Sequence, residues 1–249
     1  RFSRAHPRDS IALEVANSTT VVDRLYHGAA DLGFIETPSE WAALDEQVVG
    51  HDELVTVVAP THPWAERRSV PVEALAATPL VMREAGSGTR EALETALRHL
   101  GLGKPGSVLE LGSTSAVRAA VVHGNAPTVI SRLAIAAEVA GGQLVEIETP
   151  GLTIGRDLRA VWPTGSELPP LARALLDDLE RGLDEDLDEL CVGALAHLVA
   201  HGRVGRDGRS DRDDAVARQH VGNVADAEDV GVAVLLGEAQ ALGEVLAHL

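Results

Sequence analysis

The sequence predicts an α/β protein made of two similar lobes around a largely parallel sheet, and three observations lead there. Short apolar runs alternate with amphipathic helical stretches from residue 10 to about 181. Three turns rich in Ser, Thr, Asn or Gly fall where a strand ends and a helix begins: Asn17-Ser18-Thr19, Gly86-Ser87-Gly88-Thr89 and Ser113-Thr114-Ser115. At 249 residues with 45% hydrophobic but only 2% aromatic content, the chain can bury a sizeable core, packed mainly by Ala, Val and Leu.

In chain order, "SIALEVAN" (10–17) alternates like a strand, and Asn17, Ser18 and Thr19 can cap the helix "TTVVDRLYHG", which stops at Gly28. "ADLGFIE" (30–36) is the returning strand of a parallel strand-helix-strand unit. A variable link containing Trp41 leads to the strand "DELVTVVAP" (52–60), and the prolines and charges of "PTHPWAERRSVP" interrupt regular structure and mark a crossover. The second series follows as helix "PVEALAA", strand "PLVMRE", the glycine turn, helix "REALETALRHLG", strand "SVLELG", helix "STSAVRAAVVHG" and strand "PTVISR". Helix "LAIAAEVAGG", strands "QLVEIE" and "DLRAVWP", and helix "PPLARALLDDLERGL" with proline in its first turn complete it.

From 182 onward the character changes: no proline, aromatic residue or lysine occurs there, and "GRVGRDGRSDRDDAVARQ" is charged and glycine-rich. Residues 182–249 read as an atypical tail, frameshifted or disordered, in which "DVGVAVLLGEAQALGEVLAHL" could make only a modest helix or strand. At the other end, "RFSRAHP" reads like the last turn of a helix begun upstream, so the chain looks cut from something longer.

Charge and motif content limit the functions. A formal charge of -17 repels a phosphate backbone and argues against nucleic-acid binding through a broad basic surface. No run approaches the ~18–20 apolar residues of a membrane span, and the single Cys191 cannot form an intramolecular disulfide, which suits a cytoplasmic protein. "GSGTRE" lacks the Lys-Ser/Thr pair of a phosphate-binding P-loop, and Glu91 stands where a dinucleotide fingerprint has its third glycine. What remains is a turn whose Ser87 or Thr89 either caps the following helix or, with its N-H groups, meets an anion. Ser113 and Thr114 carry the same two alternatives. No nucleophile motif is present, so no catalytic residue and no cofactor is expected; His197 and His201 share a helical spacing but have no third ligand, so no metal is expected.

Taken in order, "LEVANSTTVVDRLYHGAADLGFIE", "DELVTVVAPTHPWA", "LAATPLVMREAGSGTREALETAL", "LELGSTSAVRAAVVHG" and "TVISRLAI" strongly resemble the effector-binding domain of LysR-type transcriptional regulators. The resemblance implies two Rossmann-like subdomains joined by two crossovers, as in type 2 periplasmic solute-binding proteins, with a small effector in the cleft. Subdomain I would take residues 1–57 and 145–181, and subdomain II residues 58–144. The family's cleft positions fall on Ser18, flanked by Asn17 and Thr19, and on Ser87, Gly88 and Thr89 opposite, with Ile130 and Ser131 as floor residues. The resemblance further implies a small anionic effector, a homodimer or tetramer in which the "TTVVDRLYHG" helix is a contact surface, and DNA binding through a helix-turn-helix outside this sequence. The family's first sensor strand is likewise not found in it. Where the family often has "GLGVA" this chain has "GNAPT", which puts Pro127 at a strand start. A solute-binding protein of the same two-lobed shape is the alternative.

Overall fold

A computed structural model describes residues 10–124, 126–184 and 231–237. Strand β1 (Ser10–Ala16) leads through Asn17 into helix α1 (Ser18–Tyr26), and β2 (Leu32–Ile35) returns beneath it. The long β3 (Leu44–Val58) passes to the short helices α2 (Pro63–Arg67) and α3 (Val72–Ala77). Then come β4 (Leu80–Arg83), α4 (Gly88–His99), β5 (Ser107–Leu111), α5 (Thr114–His123) and β6 (Thr128–Ser131). A single 3-10 turn, α6 (Ala136–Ala140), β7 (Val145–Ile147), β8 (Ile154–Pro163), α7 (Pro170–Asp184) and β9 (Gly231–Gly237) finish the order.

Among the described residues the principal sheet has seven strands in the order β1-β9-β2-β8-β3-β6, with β7 also on β3, and β4 and β5 form a second, parallel pair. Strands β3 and β8 are the two crossovers, running antiparallel from Leu44 beside Pro163 to Leu54 beside Ile154. The expectation of a largely parallel sheet is therefore corrected. β1, β9 and β2 are parallel, but every described ladder of β3, and that between β2 and β8, is antiparallel. Alternation of strands and helices signals parallel units, yet it is silent about strands that cross from one lobe to the other and back.

Each half of the sheet is covered on both faces. On one half α1 buries Val21, Val22 and Leu25 against Ile35 and Val161, while α7 packs Leu171, Leu175, Leu176 and Leu179 on Leu32, Phe34 and Leu158. The i, i+4, i+5, i+8 spacing of those leucines is one helical face, and each fully buried side chain of this size stabilises the fold by about 1.5–3 kcal/mol. On the other half α3 and α4 bury Leu75, Leu93 and Leu97 against Leu54, Leu80 and Met82, and α5 sets Val117 and Val121 on Val55, Val57 and Ile130.

Two further expectations change. The link around Trp41 gives way at Leu44 to the first half of β3, whose alternately exposed "LDEQVVG" becomes a strand only because β8 pairs with it. The crossover "PTHPWAERRSVP" contains helix α2, started by Pro63 and capped by His62 Nδ1 accepting from the Trp64 N-H at 3.1 Å. Within the tail, Gly231–Gly237 is a strand of the principal sheet; Cys191, His197 and His201 lie outside the described residues.

Candidate functional site

The two polar turns at the N-termini of α1 and α4 meet. Asn17 caps α1 conventionally, its Oδ1 accepting from the Thr20 N-H at 3.0 Å. Its amide reaches across to donate to Glu84 Oε1 at 3.0 Å, and both the N-H and the hydroxyl of Thr19 donate to the Gly86 carbonyl at 3.2 Å. Gly86 has φ +90°, and a Cβ there would lie 3.1 Å from Thr19 Oγ1. This turn thus needs glycine for its backbone and for its neighbour.

Ser87 occupies the N-cap position of α4 without making a capping hydrogen bond. Ser18 and Ser87 are each 2% exposed, and their hydroxyls, together with Glu36 Oε2, have no hydrogen-bond partner among the described residues. A buried hydroxyl left unpaired costs about 1–3 kcal/mol. Helix N-termini also present unpaired N-H groups and a partial positive charge. The three unpartnered groups and two helix ends amount to unsatisfied donor and acceptor capacity at the junction of the two halves.

Sequence reasoning missed the charged cluster behind that junction. Arg156 of β8 donates through Nε and Nη2 to Asp52 Oδ2 of β3 at 2.9 and 2.6 Å, through Nη1 to Thr89 Oγ1 of α4 at 3.0 Å, and lies 3.3 Å from Glu36 at the end of β2. One guanidinium therefore joins both crossovers to both helix-bearing halves. Ser131 donates to Asp52 Oδ1 at 3.0 Å and accepts from the Ala134 N-H at 3.2 Å, so it belongs to this cluster, whereas Ile130 is a core residue. Burial pushes the Glu36 carboxyl above its ordinary value of 4.5, against the pull of Arg156. The available signal was parity: Arg156 shares the buried face of β8 with Ile154 and Leu158, where a charge demands a partner.

One more link ties the halves, and one more ion pair backs the site. Glu91, the residue that breaks the dinucleotide fingerprint, accepts from the hydroxyls of Thr37 and Ser39. Arg83 is 4% exposed and pairs with Glu84 at 2.8 Å and with Thr114 Oγ1 at 2.9 Å. Burial raises the Glu84 carboxyl, but hydrogen bonds from Arg83 and Asn17 outweigh it and hold the group below its ordinary value. Thr114 thus contacts the site through Arg83, while Ser113 caps α5 by accepting from the Ala116 N-H at 3.2 Å. A groove of about 580 Å³ runs between α4 and the antiparallel β3 and β8, with Asp52, Arg156 and Arg159 in its lining. None of the ten sequence-predicted residues lines it. Among the described residues no three His, Cys, Asp or Glu side chains group as metal ligands, and no helix is long and apolar enough to cross a membrane.

Comparison with known proteins adds the following. The family profile of the LysR substrate binding domain matches residues 1–184. An uncharacterized HTH-type transcriptional regulator of Mycobacterium tuberculosis is 47% identical over 164 residues, covering 64% of this chain and 52% of that protein. The Escherichia coli regulator YeiE is 36% identical over 176 residues, 70% of this chain and 58% of YeiE. The chain thus spans about half the length of the curated relatives it matches. Among solved structures, the regulatory domain of Synechocystis CcmR in complex with 2-PG aligns at TM-score 0.66 and 26% identity, covering 75% of this chain and 88% of that one. The effector-binding domain of QuiR in complex with shikimate aligns at TM-score 0.64 over the same shares, and at 15% identity it shows the fold alone.

Proposed function

Because the chain belongs to the LysR substrate-binding-domain family, we propose that it senses a small anionic effector clamped between Asn17–Thr19 at the start of α1 and Ser87–Thr89 at the start of α4. The observation that carries this reading is the pair of buried, unpartnered hydroxyls of Ser18 and Ser87, one on each side of the junction. An effector acid group placed between them gives each hydroxyl an acceptor and receives the field of two helix N-termini. Local charge is compatible with an anion: Arg83 and Arg156 pair with Glu84 and Asp52, and the two helix ends add positive potential at the junction. The CcmR regulatory domain, 26% identical to this chain, is in complex with a small acid, 2-PG.

The contact between Thr19 and Gly86 closes the junction, so binding requires the two halves to part and close again on the ligand. The effector shifts that equilibrium only by its differential affinity for the closed form. In this reading the halves divide at residues 57/58 and 144/145, and the hinge is the antiparallel pair β3 and β8 with Arg156 as its tether. The relatives named transcriptional regulators support the sensor over the solute-receptor alternative. The complete regulator acts in the cytoplasm on DNA through a helix-turn-helix domain. Its sensor domains pair through β1 and α1, where Leu13, Val15 and Tyr26 are 40%, 49% and 47% exposed, against the edge strand β5, where Val108 and Leu109 are 58% and 45% exposed. Sedimentation as a monomer at high concentration would count against that pairing.

The direct test is a thermal-shift screen of small carboxylates and phosphorylated acids, repeated on Ser18→Ala, Ser87→Ala and Arg159→Gln. A hit whose shift is lost in both serine variants and kept in Arg159→Gln locates the ligand in the clamp. The opposite pattern moves it to the groove that Arg159 lines.

A further inference from the structure

Glu36 follows the last residue of β2 and is held away from water. Its side chain is 3% exposed, and its backbone lies against the start of α4, where a Cβ on Gly88 would stand 2.9 Å from the Glu36 carbonyl carbon. The two carboxyl oxygens have different surroundings. Oε1 lies 3.3 Å from Arg156 Nη1 and accepts from Thr89 Oγ1 at 3.5 Å, whereas Oε2 has no partner among the described residues. Arg156 is only a shared counter-charge, because its Nε and Nη2 are given to Asp52 and its Nη1 also reaches Thr89.

The charged groups around Glu36 come from every element packed on it. Arg156 on β8 and Asp52 on β3 form the buried pair beside it, and Arg83 of β4 acts from farther away while bound to Glu84. Glu91 of α4 and Arg159 of β8 are turned to Thr37 and Ser39 instead, and on α1 the charged residues stand in its second half, with Arg24 turned to Glu14. The hydroxyls of Ser18 and Ser87 and the two helix ends carry hydrogens that an anion can accept. An ionised carboxylate is the opposite, since both of its oxygens only accept. An anion brought to the clamp therefore meets one group that repels it unless a hydrogen stands between them.

We propose that Glu36 is the proton-carrying member of the clamp: the acid group of the effector binds with the Glu36 carboxyl protonated, its Oε2 hydrogen donating to an effector oxygen. This rests on the clamp reading above. The proton comes from solvent, so each anion bound brings one proton with it wherever Glu36 is ionised in the free protein. The hydrogen sits on Oε2 because Arg156 and Thr89 already direct their own hydrogens at Oε1. Two acids that cannot both be ionised in one buried space share a single proton in this way. Burial, with Asp52 adding to it, already raises the Glu36 carboxyl against the pull of Arg156, Arg83 and Thr89, and an incoming anion acts in the same direction as burial. The effector class is thereby narrowed to acids that present a bare anionic oxygen to Glu36. An acid whose hydroxyl or ammonium group met an ionised Glu36 would bind without taking up a proton.

The probes for the full chain are glycolate, inorganic phosphate and 2-PG, and those kept are the ones whose thermal shift is lost in both Ser18→Ala and Ser87→Ala. Their Kd is then measured by titration calorimetry from about pH 5 to about pH 9 on the parent and on Glu36→Gln, whose amide keeps a donor in this place and cannot ionise. Taking the ratio of the two removes the titration of the probe itself. That ratio should be flat below the value at which Glu36 ionises in the free protein, and the parent should weaken by about tenfold per pH unit above it. Titrations in two buffers of different ionisation enthalpy should show about one more proton taken up by the parent than by Glu36→Gln at the alkaline end. A ratio that stays constant with pH, with equal proton uptake, overturns the inference and leaves the clamp standing. Loss of binding in Glu36→Gln at every pH does the same, because it means that an ionised Glu36 accepts from the probe. If no probe binds through the two serines, the clamp fails and this inference with it. Should Glu36→Gln not fold, the two-buffer proton count on the parent, less the proton change of the probe alone, decides in its place.

Discussion

Replacing Gly88 by alanine probes the closeness of the two halves with one methyl group. An alanine Cβ at 88 would stand 2.8 Å from the Thr37 nitrogen, 2.9 Å from the Glu36 carbonyl carbon and 3.0 Å from its oxygen, all well inside the 3.4 Å at which ordinary contact begins. All three are backbone atoms, so no side chain can swing away. Nor is that backbone free to move: Glu36 is tied to Arg156, and Thr37 to Glu91 and Arg159. The remaining relaxation draws the N-terminus of α4 away from the end of β2 and strains the Arg156–Thr89 and Thr19–Gly86 bonds. Overpacking of this kind costs about 1–3 kcal/mol. The entropy an alanine removes from the unfolded chain offsets roughly 0.4–1 kcal/mol of it. A net loss of about 1–2 kcal/mol lowers Tm by about 2–8 °C in a domain of this size. Scanning calorimetry would measure it beside Gly103→Ala, where a Cβ meets nothing within 4 Å and Tm should hold or rise slightly. If Gly88→Ala melts no lower than Gly103→Ala, the halves are not in the contact described, and the clamp argument goes with them.

Three other outcomes follow from the same geometry. Arg156→Met strands the carboxylates of Asp52 and Glu36, whose side chains are 0% and 3% exposed, and should cost about 3–5 kcal/mol in urea unfolding; a loss under about 1 kcal/mol would mean that water reaches the cluster. Glu36 has a raised folded pKa, so its contribution to stability is present below 4.5 and is lost as pH rises through the folded value. Glu36→Gln should therefore gain on the parent protein as pH rises above 4.5, while Glu84→Gln, whose parent carboxyl is held low, should lose most above 4.5 and least in acid; parallel pH profiles would contradict both. Ser18→Ala and Ser87→Ala delete buried hydroxyls that have no partner among the described residues, so each should leave the ligand-free protein as stable or about 1 kcal/mol more stable. A clear drop in Tm for either would show that its hydroxyl has a partner in solution without any effector.

The parts of this fold that were legible in the sequence are those decided locally. Asn17 marks the start of α1 because an N-cap needs a short acceptor beside its own helix, and the leucines of α7 declare one face by their spacing alone. The first half of β3 was not legible, because "LDEQVVG" is a strand by virtue of partners more than a hundred residues later in β8. The same holds within the site. The polar turns can be found from three or four adjacent residues, but Asp52, Arg156 and Glu36 lie on three different strands or strand ends and acquire meaning only when buried together.

This difference bears on how a sensor of this shape transmits binding. Hydroxyls and helix N-termini can hold a ligand, yet caps alone do not couple ligand to hinge, because each is satisfied or left open within its own turn. Coupling needs a group that touches both the clamp and the crossover strands, and Arg156 does so, reaching Thr89 on α4 and Asp52 on β3 from its own seat on β8. Parting the halves must either break Arg156 from Thr89 and Glu36 or carry β8 along, and each route costs more in the buried setting than it would at the surface. In the proposed clamp, a ligand that satisfied Ser18 and Ser87 would act on the same opening equilibrium that the arginine opposes.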